Sequence, residues 1–175
     1  MKWQTLINDT FIRISEELER VLDGLSVDEL NRRPDGGNSI GWLTWHLTRS
    51  HDRNLSELAG REQIWIRDGW YARFNCNPDP GETGVGHSAD EAAAFSSPEA
   101  GVILKYHRSV VGLASEYIEE SLSEMELERE ATSPTLKSTF PVERRLVGII
   151  SEGLQHVGQA AYVRGLIKGQ GWLGR

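Results

Sequence analysis

Apolar side chains recur at three- and four-residue steps through the first segment: Trp3, Leu6, Ile7, Phe11, Ile14, Leu18, Val21, Leu22 and Leu25. That period predicts an amphipathic helix ending near Gly24. Ser26 with Glu29 reads as a capping box for a short helical turn, which Pro34 and the pair Gly36-Gly37 stop. Asn38 or Ser39 caps a second helix running to about Gly60. Its main stripe is Ile40, Leu43, Leu47, Asn54 and Leu58, with Trp42 and Trp45 on other faces. A helix apolar almost all round in its first two turns is expected to be buried there. Ser97-Pro98-Glu99 marks the start of a third helix, which carries Val102, Tyr106, Val110, Leu113 and Tyr117 inward and ends near Leu122. Pro141 opens a fourth, with Leu146, Ile149, Ile150, Val157, Ala160, Val163 and Ile167 leading to Gly169.

The stretches between helices carry their own signals. Residues 61–97 hold Trp65, Ile66, Trp70, Tyr71 and Phe74, followed by NCNPDPGETGVGHS and a second capping box, Ser88 with Glu91. So long a connection is either a lid or binding loop, or a surface loop whose aromatics patch the bundle. Its glycines lead to the expectation that residues 75–90 gate a pocket. An acidic stretch, SEMELERE, and a polar loop around Pro134 precede the last helix. No segment shows a convincing strand pattern. Four helices of about 20 residues, each some 30 Å long, predict an all-α fold: a four-helix bundle with a long decorated crossover, as a single domain over residues 1–175.

Charge and composition then narrow the function classes. The 175 residues carry a net charge of −7, with 26 acidic against 19 basic side chains, which argues against a nucleic-acid partner. No run of 18 apolar residues predicts a membrane span, and the N-terminus lacks the pattern of a signal peptide. Cys76 is the single cysteine, so neither an internal disulfide nor a cysteine-built zinc site is available. A reducing, cytoplasmic setting is the expectation. Exposed aromatics around Trp65 to Phe74, together with Trp172, are more apolar surface than a small monomer needs, and predict a homodimer.

Histidines are the first candidates for chemistry: His46, His51, His87, His107 and His156. Glu152 and His156 stand four apart on the fourth helix and share a face with Ile149, Ala160 and Val163, so they point inward. A buried carboxylate is costly unless compensated. Either a metal ion or a Glu–His hydrogen bond in the core would compensate it, and spacing leaves both open. His46 sits at the edge of the second helix's stripe, one turn after Trp42, where a satisfied core histidine is the alternative to a ligand. His51 lies on the stripe and is a candidate ligand or pocket base, or a half-buried polar residue with a neighbour for partner. Several motifs fail. There is no HExxH, the ExxH pairs of a di-iron bundle are absent, and GETGVGHS is followed by no GK[ST]. Cys76, between two asparagines, has no evident activating base.

Three segments together carry a resemblance: NSIGWLTWHLTRSHD, the loop DGWYARF…ETGVGHSADE, and SEGLQHVGQAAYVRGL. They resemble the DinB-like superfamily, which includes thiol S-transferases and the metal-binding N-terminal domain of mycothiol-dependent maleylpyruvate isomerase. The most specific elements are His156, Gly158, Gln159 and Arg164, and the Gly-Trp-Leu…His-Leu run through His46. The resemblance spans essentially the whole chain. It implies a four-helix bundle holding one divalent metal ion through the histidine of the second helix and two residues four apart on the last, here His46, Glu152 and His156. Glu followed by His matches the isomerase-like branch. The sequence ends at Arg175, without that enzyme's second domain, so maleylpyruvate isomerisation is not the expected reaction.

Two imidazoles and one carboxylate would leave a coordination position open, which is the catalytic pattern. Zinc is the expected ion, with nickel or another divalent ion able to take the same ligands. Lowering a thiol pKa from about 8.5 to below 7 takes about 3 kcal/mol, well within what a divalent ion does to a bound ligand. The expected activity is transfer of a low-molecular-weight thiol to an electrophilic small-molecule substrate. Gln159, Arg164 and Trp42 are candidate contacts to the bound thiol, and His51 is the candidate base. The alternatives are a hydrolase using metal-bound water, or a non-enzymatic metal-binding or interaction module.

Overall fold

The computed structural model describes residues 2–169 and 171–172. Four long helices form the bundle: α1 (Trp3–Leu22), α3 (Ile40–Leu58), α7 (Ala100–Glu120) and α9 (Val142–Lys168). Short helices decorate the connections: α2 (Val27–Asn31), α4 (Ile64–Arg67), α5 (Trp70–Arg73), α6 (Ala89–Ala94) and α8 (Glu124–Glu128). In the bundle α3 packs against α7 and α9, and α1 packs against the same two, so α1 and α3 occupy opposite corners. The expected all-α architecture is the observed one.

Capping chemistry sets the boundaries. Ser26 and Glu29 close a reciprocal capping box at α2, as do Ser88 and Glu91 at α6. The Ser39 hydroxyl accepts from the Trp42 N–H and starts α3. Helix α3 is the central element: Ile40 through Arg49 are all buried, including both tryptophans. The core joins Phe11, Ile14 and Leu18 of α1 to Leu47 and Leu55 of α3, Tyr106 and Val110 of α7, and Leu146 and Val157 of α9.

Besides the start of α7, where Glu99 rather than Ser97 is the N-cap and no side chain caps the helix, two larger features depart from the sequence reading. The polar loop around Pro134 contains a short antiparallel hairpin, β1 (Glu130–Thr132) with β2 (Thr139–Pro141), in which Ala131 pairs with Phe140. Strands of three residues are too short to show a period of two, so nothing in the sequence flagged them. The second departure concerns the crossover aromatics. Trp65, Trp70 and Phe74 are not a surface patch: they are 0%, 5% and 3% exposed and pack on Tyr106. They therefore supply no ground for a homodimer. Large exposed apolar side chains lie instead on the outer face of α9, where Val147, Leu154, Tyr162 and Leu166 stand in solvent. Among the described residues no helix is long and apolar enough to cross a membrane.

The crossover is held down by a buried polar network centred on α3. The Asp52 carboxylate accepts from the backbone N–H groups of Ile64 and Trp65 at 2.9 and 2.8 Å, capping α4, and from the Tyr106 hydroxyl at 2.7 Å. Arg49 donates to Asp52 at 3.2 Å and to the carbonyls of Glu82 and Pro80. Arg53 donates to the carbonyls of Gly81 and Pro134. The segment expected to swing as a gate is thus pinned to α3 along residues 80–82.

Candidate metal centre

Helix α3 contributes His46, and α9 contributes Glu152 and His156 one turn apart on the face that packs against α3. The Nε2 atoms of His46 and His156 each stand 3.4 Å from Glu152 Oε1, and the two rings meet edge to face with centroids 4.6 Å apart. One ligand atom from each of the three residues falls within 4.8 Å of the others. Ligands about 2.0–2.1 Å from a zinc ion at tetrahedral angles stand about 3.3–3.4 Å apart. The two imidazole–carboxylate separations match that spacing.

Proton placement follows from the partners on the far side of each ring. His46 Nδ1 lies against the carbonyl oxygen of Thr83, which can only accept, so Nδ1 carries a hydrogen, and in the neutral ring the lone pair is on Nε2. His156 Nδ1 lies 2.9 Å from Gln159 Oε1, an amide oxygen that accepts likewise. In their neutral form both imidazoles therefore present an unprotonated Nε2 to Glu152. Outer partners of this type fix the orientation of metal-ligating histidines. Burial lowers the His156 pKa, and the neighbouring His46 lowers it further against the opposing pull of Glu152, which favours the unprotonated ring.

Glu152 is the decisive member. Both of its carboxylate oxygens are buried and have no hydrogen-bond partner among the described residues. A carboxylate facing the lone pairs of two neutral imidazoles is a repulsive arrangement, and a buried unpaired anion is costly. A Glu–His hydrogen bond would need a second proton on a ring whose Nδ1 hydrogen Thr83 or Gln159 already holds, and burial disfavours that proton on His156. A divalent cation fits the donor set.

Around this group the other candidates take different places. Trp42 stacks on His46 with centroids 4.8 Å apart and planes 8° from parallel, and its indole N–H donates to His87 Nδ1 at 3.2 Å. Gln159 orients His156. His51 is fully buried behind the carboxylate: its Nε2 donates to the Ile149 carbonyl at 3.2 Å and stands 3.9 Å from Glu152 Oε2. Burial lowers its pKa. Arg164 lies two helical turns beyond His156, donates to the carbonyls of Val21 and Asp23 at 2.6 and 2.7 Å, and closes the C-terminal end of α1 rather than the ligand group. The Cys76 thiol donates to the Phe74 carbonyl, and burial pushes its pKa up, so it is a poor nucleophile.

Three supporting residues escaped the sequence reading. Thr83 acts through its backbone carbonyl, which no side-chain pattern announces. Gly84, at φ +83°, lets the loop approach so closely that a Cβ there would stand 2.9 Å from both the Trp42 and Trp45 rings and 3.2 Å from His46 Nδ1. A Cβ at Gly153 would stand 2.6 Å from His51 Nε2. Of the GETGVGHS glycines only Gly84 serves this close approach, since a Cβ at Gly86 would meet nothing within 4 Å; Gly153, next to Glu152, is the one that flanks a candidate ligand in sequence.

Comparison with known proteins places the chain in a family. No curated protein matches the sequence. A solved structure described as the conserved protein of locus from Enterococcus faecalis superimposes with a TM-score of 0.85 at 29% identity, covering 97% of this chain and 99% of that one. The family model for the DinB superfamily matches residues 10–160, and the chain belongs to that superfamily.

Proposed function

We propose that His46, Glu152 and His156 hold one divalent metal ion and that the protein uses it to activate a low-molecular-weight thiol for attack on an electrophilic small molecule. The observation that carries the metal is the buried Glu152 carboxylate, without a hydrogen-bond partner among the described residues and flanked at 3.4 Å by the Nε2 atoms of two imidazoles. A bound divalent ion supplies Lewis acidity, which makes a coordinated thiol acidic enough to ionise near neutral pH. The chain's own residues do the rest. Thr83 and Gln159 hold the imidazoles in the ligating tautomer. The Trp42 ring covers one face of His46, and the pinned loop at residues 80–84 closes that side to water. Three protein ligands leave room for an exogenous one. The nucleophilic sulfur comes from outside, which is consistent with a Cys76 whose burial opposes ionisation. The thiol part of this reading rests on the DinB-like resemblance together with that open ligand set.

Cobalt substitution tests it. The cobalt-loaded protein is expected to develop a sulfur-to-metal charge-transfer band when cysteine, glutathione or another common low-molecular-weight thiol is added, and Cys76→Ser is expected to show the same band. Absence of any thiol-dependent band, with cobalt bound at one ion per chain, would leave the metal centre standing and eliminate thiol activation.

A further inference from the structure

Beside the ligand group lies a cavity of about 330 Å³, walled by α3, by the β1–β2 hairpin and by α9. Its lining runs along α9 from Arg144 through Gly148 and Ile149 to Glu152. Eight residues of helix span about 12 Å, so the cavity joins a guanidinium at one end to the candidate metal ligand at the other. Leu136 and Phe140 of the hairpin and Ile149 of α9 make its apolar wall. Gly148 leaves space, since a Cβ there would meet nothing within 4 Å.

The two arginines at the far end are not equivalent. Arg145 is buried and committed: it pairs with Glu57 and donates to Asn54 Oδ1 at 3.1 Å and the Thr132 carbonyl at 3.3 Å. Arg144 is exposed, and no carboxylate among the described residues pairs with it; its guanidinium stands over the Phe140 ring, 4.6 Å from the centroid. Stacking uses the face of a guanidinium and leaves its N–H edge free, and that edge matches a carboxylate in bidentate geometry. In a chain of net charge −7, a cation left over at the mouth of a partly apolar cavity selects for the opposite charge.

We propose that this cavity binds a small organic acid, with its carboxylate on Arg144, its apolar skeleton on Phe140, Leu136 and Ile149, and its far end delivered to the His46–Glu152–His156 group. The acid is either the electrophile or the thiol co-substrate, because either can carry a carboxylate. Only the delivery to the ligand group rests on the metal-centre reading; the acid site itself does not need the ion.

Titration of the isotope-labelled protein, with and without metal, tests this using hexanoate and benzoate against hexanamide and benzamide, read by amide chemical shifts. The acids are expected to bind about tenfold tighter than the isosteric amides, with shifts centred on Phe140, Arg144 and Gly148. The preference is expected to persist in metal-stripped protein. Arg144→Gln is expected to erase it, and Gly148→Leu to weaken acids and amides alike, while neither changes metal content. Equal binding of acid and amide by the parent, or a preference that survives Arg144→Gln, would overturn the proposal. A preference seen only with metal bound would also overturn it, since the ion itself would then hold the acid. Metal content, measured on the same samples, reports separately on the metal centre. A mercaptocarboxylate such as 3-mercaptopropionate, compared with a thiol-free analogue on the cobalt protein, distinguishes the thiol from the electrophile as the source of the carboxylate.

Discussion

Gln159 shows how a helix can position a candidate metal ligand it also carries. Residues 156 and 159 lie one turn apart on α9, so the amide oxygen of Gln159 reaches His156 Nδ1 at 2.9 Å and fixes the tautomer. Replacing such an outer partner costs about 10–100-fold in metal affinity, and the exposed setting of this contact places it at the lower end of that range. Gln159→Leu is therefore expected to weaken metal binding about tenfold while keeping one ion per chain, as read by competition with a chromophoric chelator. The residues proposed as ligands stood out in the sequence. The four-residue step from Glu152 to His156 is a helix-face argument, and the resemblance added His46. Gln159 and Trp42 stand out in the sequence as candidate contacts to a bound thiol, and in the structure they lie against His156 and His46, the histidines proposed as ligands. Thr83 was not legible, because a backbone carbonyl acts at the site without any side-chain signature.

Among the elements, the crossover between α3 and α7 depends most on one residue. Asp52 binds the N-terminus of α4, Tyr106 of α7 and Arg49 of its own helix. Removing one member of a buried charged pair leaves the other uncompensated, at a cost of about 3–5 kcal/mol. Asp52→Ala is expected to lower stability by about that amount in urea unfolding. Faster amide exchange is expected over residues 64–84, because Arg49 would lose the partner that aims it at the loop. The helices were legible because their apolar period and caps are strong local signals: Ser26–Glu29, Ser39 and Ser88–Glu91 cap as expected. The fate of Trp65, Trp70 and Phe74 was not. Whether an aromatic in a non-periodic segment packs inward depends on a distant acceptor, here Asp52, and on a distant ring, Tyr106.

For the whole molecule, burial of uncharged histidines couples stability to pH. His107 is fully enclosed; its Nδ1 donates to the Thr48 hydroxyl, and burial pushes its pKa down to about 3. An unfolded chain binds that proton near pH 6.5, so between pH 6.5 and about 3 the unfolded state holds more protons than the native one. Stability from this group is accordingly full above pH 6.5 and falls as pH drops toward 3. His51, lowered in the same direction by burial, adds to the slope. His107→Phe is expected to flatten the decline in urea midpoint between pH 7 and pH 4 relative to the parent, whatever its effect at pH 7. An unchanged slope would mean that His107 is protonated in the native protein.

The metal centre is the claim on which the functional reading stands, and metal stoichiometry tests it most directly. Protein stripped with chelator, reloaded with zinc and freed of excess is to be analysed for bound metal, alongside His46→Ala, Glu152→Ala and His156→Ala. The parent and the Cys76→Ser control are expected to hold one ion per chain, and each ligand variant a small fraction of one, while retaining helical circular dichroism. Full stoichiometry in all three folded ligand variants, or no bound ion in the parent, would contradict the account.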